Sequence, residues 1–158
     1  MERKLLTLFV LFLTFAALSS CGSDDGVMER PDYTSIRYDV EVSDAFLALY
    51  DVRVSYKKIN GDVEQAQVNN LAWEYKERTD GQHPIDFTLS VVATARENIP
   101  QFTDNVYLLA DVSMEYYTKK TSAKRTHQKP VETTISANSV ASYLHEHPTI
   151  TLANFSTE

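Results

Sequence analysis

The sequence predicts an all-β fold, an antiparallel β-sandwich, from three observations. Apolar and polar residues alternate with a period of two through most of the chain after residue 35. Turn signals separate the alternating segments, and no helical crossover lies between them, so neighbouring strands should run antiparallel. These observations predict about seven strands and one short helix near the C-terminus. This arrangement is immunoglobulin-like in architecture only, because the paired cysteines that flank the core tryptophan of immunoglobulin domains are absent.

The first strand shows the pattern most clearly, since Ile36, Tyr38, Val40 and Val42 alternate with charged or small polar residues. The longest stripe runs from Val106 to Tyr116. A turn at Asn60-Gly61-Asp62 favours a hairpin, because Asn-Gly adopts positive φ readily. In chain order the predicted strands cover residues 36–42, 46–56, 63–75, 85–95, 106–116, 131–137 and 150–152.

One segment breaks the period of two. Asn138 or Ser139 can cap a short helix that ends before Pro148. So short a helix needs a surface to lie on. We expect it to cover part of a set of apolar residues on the outward faces of the strands; the alternative is an exposed interaction surface. That set is Leu47, Leu49, Val92, Tyr107 and Leu109.

The N-terminal segment has the three parts of an export signal. Arg3 and Lys4 precede an apolar run from Leu5 to Leu18, and small residues close it. About fourteen residues extend only some 21 Å as a helix, too short for a bilayer core of roughly 30 Å. The order Leu18-Ser19-Ser20-Cys21 resembles the lipobox read by lipoprotein signal peptidase. An ordinary secretory signal is the alternative.

The resemblance implies that Cys21, the only cysteine in the chain, becomes the acylated first residue of a bacterial lipoprotein. Gly22 after the cysteine resembles the outer-membrane sorting choice, and Ser23-Asp24-Asp25 resembles the acidic surface-export tether of Bacteroidetes lipoproteins. We therefore expect a signal peptide over 1–20, a lipidated cysteine and flexible tether over 21–34, and a sandwich domain over 35–158. The implied location is the outer membrane, lipid-anchored and facing the cell surface.

The charge of the mature chain limits the classes of partner that it is expected to bind. Removing residues 1–20 takes away Arg3, Lys4 and Glu2 and leaves a formal net charge of −8 (13 − 21). This acidic balance disfavours nucleic acid, whose binding needs clustered Lys and Arg. The length suits one domain with a substantial core. No sequence motif calls for a cofactor.

Basic residues concentrate in one segment of this acidic chain. Lys119, Lys120, Lys124, Arg125 and Lys129 are interleaved with Thr and Ser, which predicts a hydrophilic loop that meets an anionic ligand. The alternative is a solvated loop without a ligand. Tyr107 and Tyr117 lie on the face opposite the apolar stripe of their strand, and are the candidate aromatic residues for ligand contact.

Two clusters invite a catalytic or metal interpretation, and neither is favoured. Asp111 and Glu115 share a strand face, but residues four apart on a strand lie about 13 Å apart, beyond the spacing of glycosidase carboxylates. The two histidines of His145-Glu146-His147 point about 200° apart on a helix, so they could not share a metal ion there.

The sequence therefore predicts a non-catalytic, membrane-anchored binding or structural module of the cell envelope. Its expected partners are the membrane, through the lipid, and either an envelope protein complex or a polysaccharide. A pilus-like or adhesin component is the alternative, with Thr149 to Phe155 as the strand that could be donated. A hydrolase acting on envelope or dietary glycan is the third interpretation.

Overall fold

A computed structural model describes residues 29–157. The predicted signal peptide, Cys21 and the first part of the predicted tether lie outside these described residues. No helix within residues 29–157 has the length and apolar character needed to cross a bilayer. The strands are β1 (Tyr33–Val42), β2 (Tyr50–Lys57), β3 (Val63–Val68), β4 (Ala72–Asp80), β5 (Thr88–Ala95), β6 (Val106–Thr118), β7 (Ser122–His127), β8 (Val131–Ile135) and β9 (Thr149–Ser156). The helices are α1 (Asp44–Leu49), a 3-10 turn (Ala137–Ser139) and α2 (Val140–Glu146).

The strands form two antiparallel sheets packed face to face, which confirms the predicted β-sandwich. One sheet has the order β4-β1-β6-β7, with β8 also pairing with β6, and the other has the order β3-β2-β5-β9. The chain changes sheet between β1 and β2, β3 and β4, β4 and β5, β5 and β6, and β8 and β9. Connections of this kind join the two layers of immunoglobulin-like sandwiches.

Two strands were missed because each has weak alternation. Residues 63–75 are two strands in different sheets, β3 and β4, separated by Asn69-Asn70. The segment predicted as a basic loop contains β7, which pairs with the end of β6. The count of about seven strands therefore becomes nine among the described residues.

The beginning of the second predicted strand is instead a helix. Residues 44–49 form α1, and the Ser43 side chain caps it by accepting a hydrogen bond from the Phe46 backbone amide at 3.2 Å. Phe46 and Leu49, three residues apart, are fully buried, as the helical period requires. Leu47 and Leu49 therefore belong to α1 and not to the outward face of a strand.

The core lies between the sheets and includes tyrosines whose hydroxyls find internal partners. Tyr38 donates to the Lys57 carbonyl at 2.6 Å, and Tyr50 donates to the His147 carbonyl at 3.0 Å. Both rings are fully buried. Burial raises the pKa of Tyr50 to about 12. The first bond connects the core to the last residue of β2, and the second connects it to the C-cap residue of α2, at the opposite end of the sandwich.

The sandwich has two ends, which we call the entry end and the far end. The entry end is where the chain enters β1; Tyr33 pairs with Asp80 there, and the turn between β6 and β7 lies at the same level, since Ser35 pairs with Tyr117. The far end carries α1, which follows β1, and α2, which precedes β9.

The predicted C-terminal helix is confirmed as α2, but Ser139, at its N-cap position, makes no side-chain capping hydrogen bond; its Oγ atom lies 2.8 Å from Ser136 Oγ instead. Val140 and Leu144 are buried and join the same apolar cluster as the strands. Tyr143 packs against that cluster and stacks on His147, with ring centroids 4.3 Å apart. The helix therefore closes part of the core, whereas Tyr107 of the outward apolar set stays 46% exposed.

We expect Leu144→Ser to destabilise the fold by about 2–3 kcal/mol, because it exposes the core and removes a buried apolar side chain. Urea unfolding followed by tryptophan fluorescence measures the loss. Ser142→Ala, at an exposed position of the same helix, is the matched control and should change stability by less than about 0.5 kcal/mol. Equal stability of the two variants would show that α2 contributes nothing to the core.

Candidate binding groove

The outer face of the five-stranded sheet is polar along its two central strands. On β1 the inward residues Ile36, Tyr38, Val40 and Val42 are buried, so the residues between them face outward. On β6 the inward stripe ends with Val112 and Met114, both buried. Because side chains alternate between faces, the intervening residues of both strands share one outer surface. Those residues are Arg37, Asp39 and Glu41 on β1, with Asp111, Ser113 and Glu115 on β6.

The register of the sheet sets these residues in three rows across the strands. Arg37 lies opposite Glu115, Asp39 opposite Ser113, and Glu41 opposite Asp111. Side chains directly opposite in an antiparallel pair have Cβ atoms about 4.5–5.5 Å apart, close enough to act on one ligand.

The edge strands extend two of these rows. On β7, Arg125 lies opposite Glu115 and His127 lies opposite Ser113. On the other side, β4 sets Lys76 opposite Arg37 and Glu74 opposite Asp39. Side chains of four neighbouring strands thus border one concave outer face.

The concavity is a groove with two adjoining hollows. The first, of about 280 Å³, is lined by Arg37, Asp39, Glu41, Asp111, Ser113, Glu115 and Arg125. The second, of about 450 Å³, is lined by Ser35, Ile36, Arg37, Lys76, Glu77, Arg78, Glu115, Tyr116 and Tyr117. Arg37 and Glu115 line both hollows and so join them into one groove that runs toward the entry end.

Ion pairs hold the β1 side of the groove in place. The Arg37 Nη2 atom lies 2.9 Å from Asp39 Oδ1 and 3.5 Å from Glu74 Oε2. The hydrogen bond to Asp39 raises the pKa of Arg37 further above its ordinary value. The hydrogen bond from Lys76 lowers the pKa of Glu74. Arg37 and Glu74 therefore stay charged over the physiological pH range.

On the β6 side, two contacts connect the groove to β7. Arg125 Nη2 donates to Ser113 Oγ at 3.3 Å, and His127 Nε2 lies 2.5 Å from Asp111 Oδ1. Glu41 and Asp111, however, are carboxylates set directly opposite each other. Like charges in this position destabilise a sheet, which is a cost that a binding surface explains.

Aromatic rings border the groove at the entry end. Tyr33 and Tyr117 stack with centroids 4.3 Å apart, and the Arg78 guanidinium lies 3.9 Å from the Tyr33 ring centroid. Tyr117 also donates a hydrogen bond to the Pro31 carbonyl at 3.1 Å. The stack fixes Tyr117 as one wall of the second hollow.

The two candidate contact tyrosines are separated by the structure. They lie ten residues apart on β6, so about 33 Å of strand separates them. Tyr117 lines the groove, whereas Tyr107 lies toward the far end and donates to Glu132 Oε1 at 2.7 Å. This hydrogen bond to a carboxylate raises the pKa of Tyr107. The pair therefore does not form one site.

The five basic residues predicted to form one loop are also divided, and the loop prediction is wrong. Lys119 and Lys120 form the turn of a hairpin, and Lys124 and Arg125 lie on β7. Successive strand residues face opposite sides, so only Arg125 of these two lines the groove. Lys129 follows β7, away from the turn.

The hairpin forms because the turn supplies its own hydrogen bonds. Thr118 Oγ1 accepts from the Thr121 amide at 3.1 Å, and Ser122 adopts a positive φ of 59°. Beyond this turn, residues 122–127 pair with residues 113–118 of the long strand β6. Threonine and serine between the charges therefore favour strand pairing here.

The two clusters considered for catalysis or metal binding occupy different places. Asp111 and Glu115 both line the first hollow, on either side of Ser113. His145 lies in the last turn of α2, and His147 caps the helix and stacks on Tyr143. Within residues 29–157 no three His, Cys, Asp or Glu side chains converge as metal ligands would.

Sequence reasoning missed the β1 half of the groove. In the sequence, Arg37, Asp39 and Glu41 are recognisable only as the polar positions of a half-buried strand. Their alternation indicates an outer face, but nothing in one sequence tells which strand lies alongside. Only the register, which pairs them with Asp111 to Glu115, reveals the shared surface.

Comparison of the chain with protein-family models finds no match, and comparisons with curated proteins and with solved structures find none either.

Proposed function

We propose that this protein is a non-catalytic, lipid-anchored module of the cell envelope that binds a polysaccharide in the groove of its five-stranded sheet. The single observation that carries the proposal is an open groove lined by hydrogen-bonding side chains of both charges, with a stacked tyrosine pair at one end. The outer membrane is the proposed location, with the anchored domain facing the cell surface.

The lining suits a ligand rich in hydroxyl groups. A sugar hydroxyl both donates and accepts, so it can bond to a guanidinium and a carboxylate at once. The first hollow offers Arg37 and Arg125 as donors, and carboxylates from both strands as acceptors. Tyr117 adds an apolar ring face of the kind on which sugar rings stack.

The charge of the groove points to a neutral polymer. The first hollow contains two guanidinium groups and four carboxylates, a formal balance of −2 (2 − 4), and the second contains three basic side chains and two carboxylates, a balance of +1 (3 − 2). An anionic chain would be repelled by Glu41 and Asp111, which face each other across β1 and β6. A neutral glucan, mannan or xylan is therefore the expected class of ligand.

We expect Arg37→Gln to weaken polysaccharide binding by about tenfold or more, since hydrogen bonds to charged groups contribute most among hydrogen bonds. Titration calorimetry of the purified full chain against neutral and anionic polysaccharides measures the effect. Arg53→Gln is the matched control, because Arg53 is an exposed arginine on the central strand β2 of the opposite sheet.

Two results would contradict this proposal. Equal loss of affinity in both variants would remove the ligand from the groove, and stronger binding of anionic than neutral polymers would contradict the argument from charge. Circular dichroism spectra of the two variants should match that of the unmodified protein, because both substitutions lie on exposed strand positions.

A pilus-like or adhesin component is a second candidate, supported by the position of β9. This strand lies at the edge of its sheet and pairs only with β5 in the strand order. An edge strand can leave without breaking the sheet in two, as strand donation requires. Crosslinked ladders of the purified protein on a denaturing gel would favour it, and a protein that stays monomeric would oppose it.

A further inference from the structure

The turn between β6 and β7 lies at the end of the sandwich where the chain enters. Ser35 of β1 pairs with Tyr117 of β6, and Thr118 pairs with Ser122 across the hairpin. Tyr117 donates a hydrogen bond to the Pro31 carbonyl. The first residues of the sandwich are therefore attached directly to the strand that leads into this turn.

Chain length limits how far this end can be from a lipid on Cys21. Nine residues lie between Cys21 and Pro31, so the ten Cα–Cα steps between them span at most about 35 Å. The far end of the sandwich is farther from Pro31 by the length of β6, thirteen residues or about 43 Å. A lipid on Cys21 would therefore attach the chain through the entry end of the sandwich.

The charged side chains also differ between the two ends, with lysines at the entry end and carboxylates at the far end. The turn carries Lys119 and Lys120, and Lys124 lies two residues into β7; all three are exposed. Asp32 and Asp80 lie nearby, at the start of β1 and the end of β4. Asp62, Glu64 and Asp86 lie at the same end of the other sheet, where Glu64 pairs with Lys58 and Asp86 with Lys57. The far end, by contrast, is acidic, with Asp44, Glu97, Asp104, Glu132 and Glu146 exposed.

We propose that the tip of the β6–β7 hairpin docks on the anionic lipid surface in which Cys21 is anchored. Lysines close to such a surface are attracted to it, and the attraction falls off within about a Debye length, so only the entry end is held. This inference rests on the proposed lipid anchor and adds an orientation. The strands stand away from the bilayer, and the acidic far end faces outward.

A hairpin turn suits a membrane surface better than a polymer chain. The three lysines are exposed and lie within six residues of one another at the tip of the hairpin, so a flat array of phosphates can meet them together. The sugar-binding surface proposed above is a separate concave face, and of the basic hairpin residues only Arg125 lines it. The two sites can therefore be tested separately.

The test uses the full acylated chain inserted into vesicles of phosphatidylcholine, with or without 30% phosphatidylglycerol as the probe. Acylation blocks Cys21, so a spin label on Ala123→Cys reports from the hairpin, and one on Ser142→Cys reports from α2; both positions are exposed. Collision of each label with a nickel-chelating lipid measures its distance from the headgroups.

We expect the hairpin label to collide with the headgroup probe in the anionic vesicles and the α2 label not to. Lys120→Gln combined with Lys124→Gln should lower the ratio of docked to undocked protein roughly 25-fold, from about fivefold per lysine. Arg53→Gln combined with Lys129→Gln removes the same charge away from the turn and should leave the ratio unchanged.

The outcomes separate the two proposals. An acylated protein whose hairpin collides equally in neutral and anionic vesicles, or equally in the two double variants, overturns the docking and leaves the lipid anchor standing. Salt-dependent binding of the hairpin lysines to polygalacturonate without any response to lipid charge overturns it in favour of an anionic polymer. Failure to acylate Cys21, seen by mass spectrometry of the N-terminal peptide, overturns both.

Discussion

Replacing Cys21 with serine is expected to move the protein from the membrane fraction to the soluble fraction almost completely. Only the cysteine thiol can accept the lipid, and the chain contains no second cysteine. One acyl chain alone gives marginal membrane binding, whereas two or more give stable anchoring, so the change is nearly all-or-none. Ultracentrifugation of cell envelopes measures the loss from the membrane fraction, and metabolic labelling with a radioactive fatty acid measures the loss of the lipid.

The control for this prediction is Ser23→Ala, two residues after the cysteine, which should keep both the label and the membrane fraction. An ordinary secretory signal makes the opposite prediction. Its cleavage would leave residues before Cys21 on the mature chain, with a free thiol that reacts with maleimide. Absence of fatty-acid label from the unmodified protein, or label that persists on the Cys21→Ser variant, would contradict the lipid anchor.

Phe46→Ala is expected to lower the free energy of unfolding by about 3–5 kcal/mol, the usual range for a buried phenylalanine. The Phe46 ring is fully buried and stacks on Tyr50 with ring centroids 4.9 Å apart. Its removal leaves a cavity beneath α1 that the adjoining strands cannot close. A domain of this size is stable by roughly 5–15 kcal/mol, so the variant would lose a large part of its margin.

Urea unfolding at 25 °C measures this loss, with Leu47→Ala as the control. Leu47 follows Phe46 in the same helix but is only half-buried, so its truncation should have a clearly smaller effect. A strand over residues 46–56, as the sequence predicted, would place Phe46, Ala48 and Tyr50 on one face. Equal losses for the two variants would contradict the burial of Phe46 in the core beneath α1.

A strand could be predicted from the sequence wherever one of its faces is buried and the other is exposed to solvent. That condition holds for β1 and β6, whose apolar stripes end in buried residues such as Val42 and Met114. It does not hold for β7, whose residues are exposed or half-buried on both faces. With no face to bury, β7 carries no alternation, and its charges looked like those of a loop.

The helix α1 escaped prediction for a different reason. Phe46, Ala48 and Tyr50 fit a period of two, while Phe46 and Leu49 fit a helical spacing, and six residues are too few to decide between them. The decisive feature is the cap, because Ser43 Oγ accepts the Phe46 amide and also accepts the Leu109 amide at 3.1 Å. One serine thus both begins the helix and fixes it to β6.

The groove was half predictable. The outward position of Tyr117 follows from the period of β6, but the partners of Asp111, Ser113 and Glu115 depend on which strand lies beside them. Strand order and register are long-range properties set by the packing of the whole core. The proposed N-terminal lipid site, by comparison, is local in sequence and can be proposed without knowing the fold.

The most direct test of the central claim is to map the polysaccharide onto the protein by NMR. A neutral polysaccharide that binds the isotopically labelled chain is titrated in, and backbone amide shifts are followed. We predict the largest shifts for Arg37, Asp39, Ser113 and Glu115, with β2 and β5 of the opposite sheet unchanged. Shifts concentrated on the opposite sheet, or no shifts for any neutral polysaccharide, would contradict the groove as the binding site.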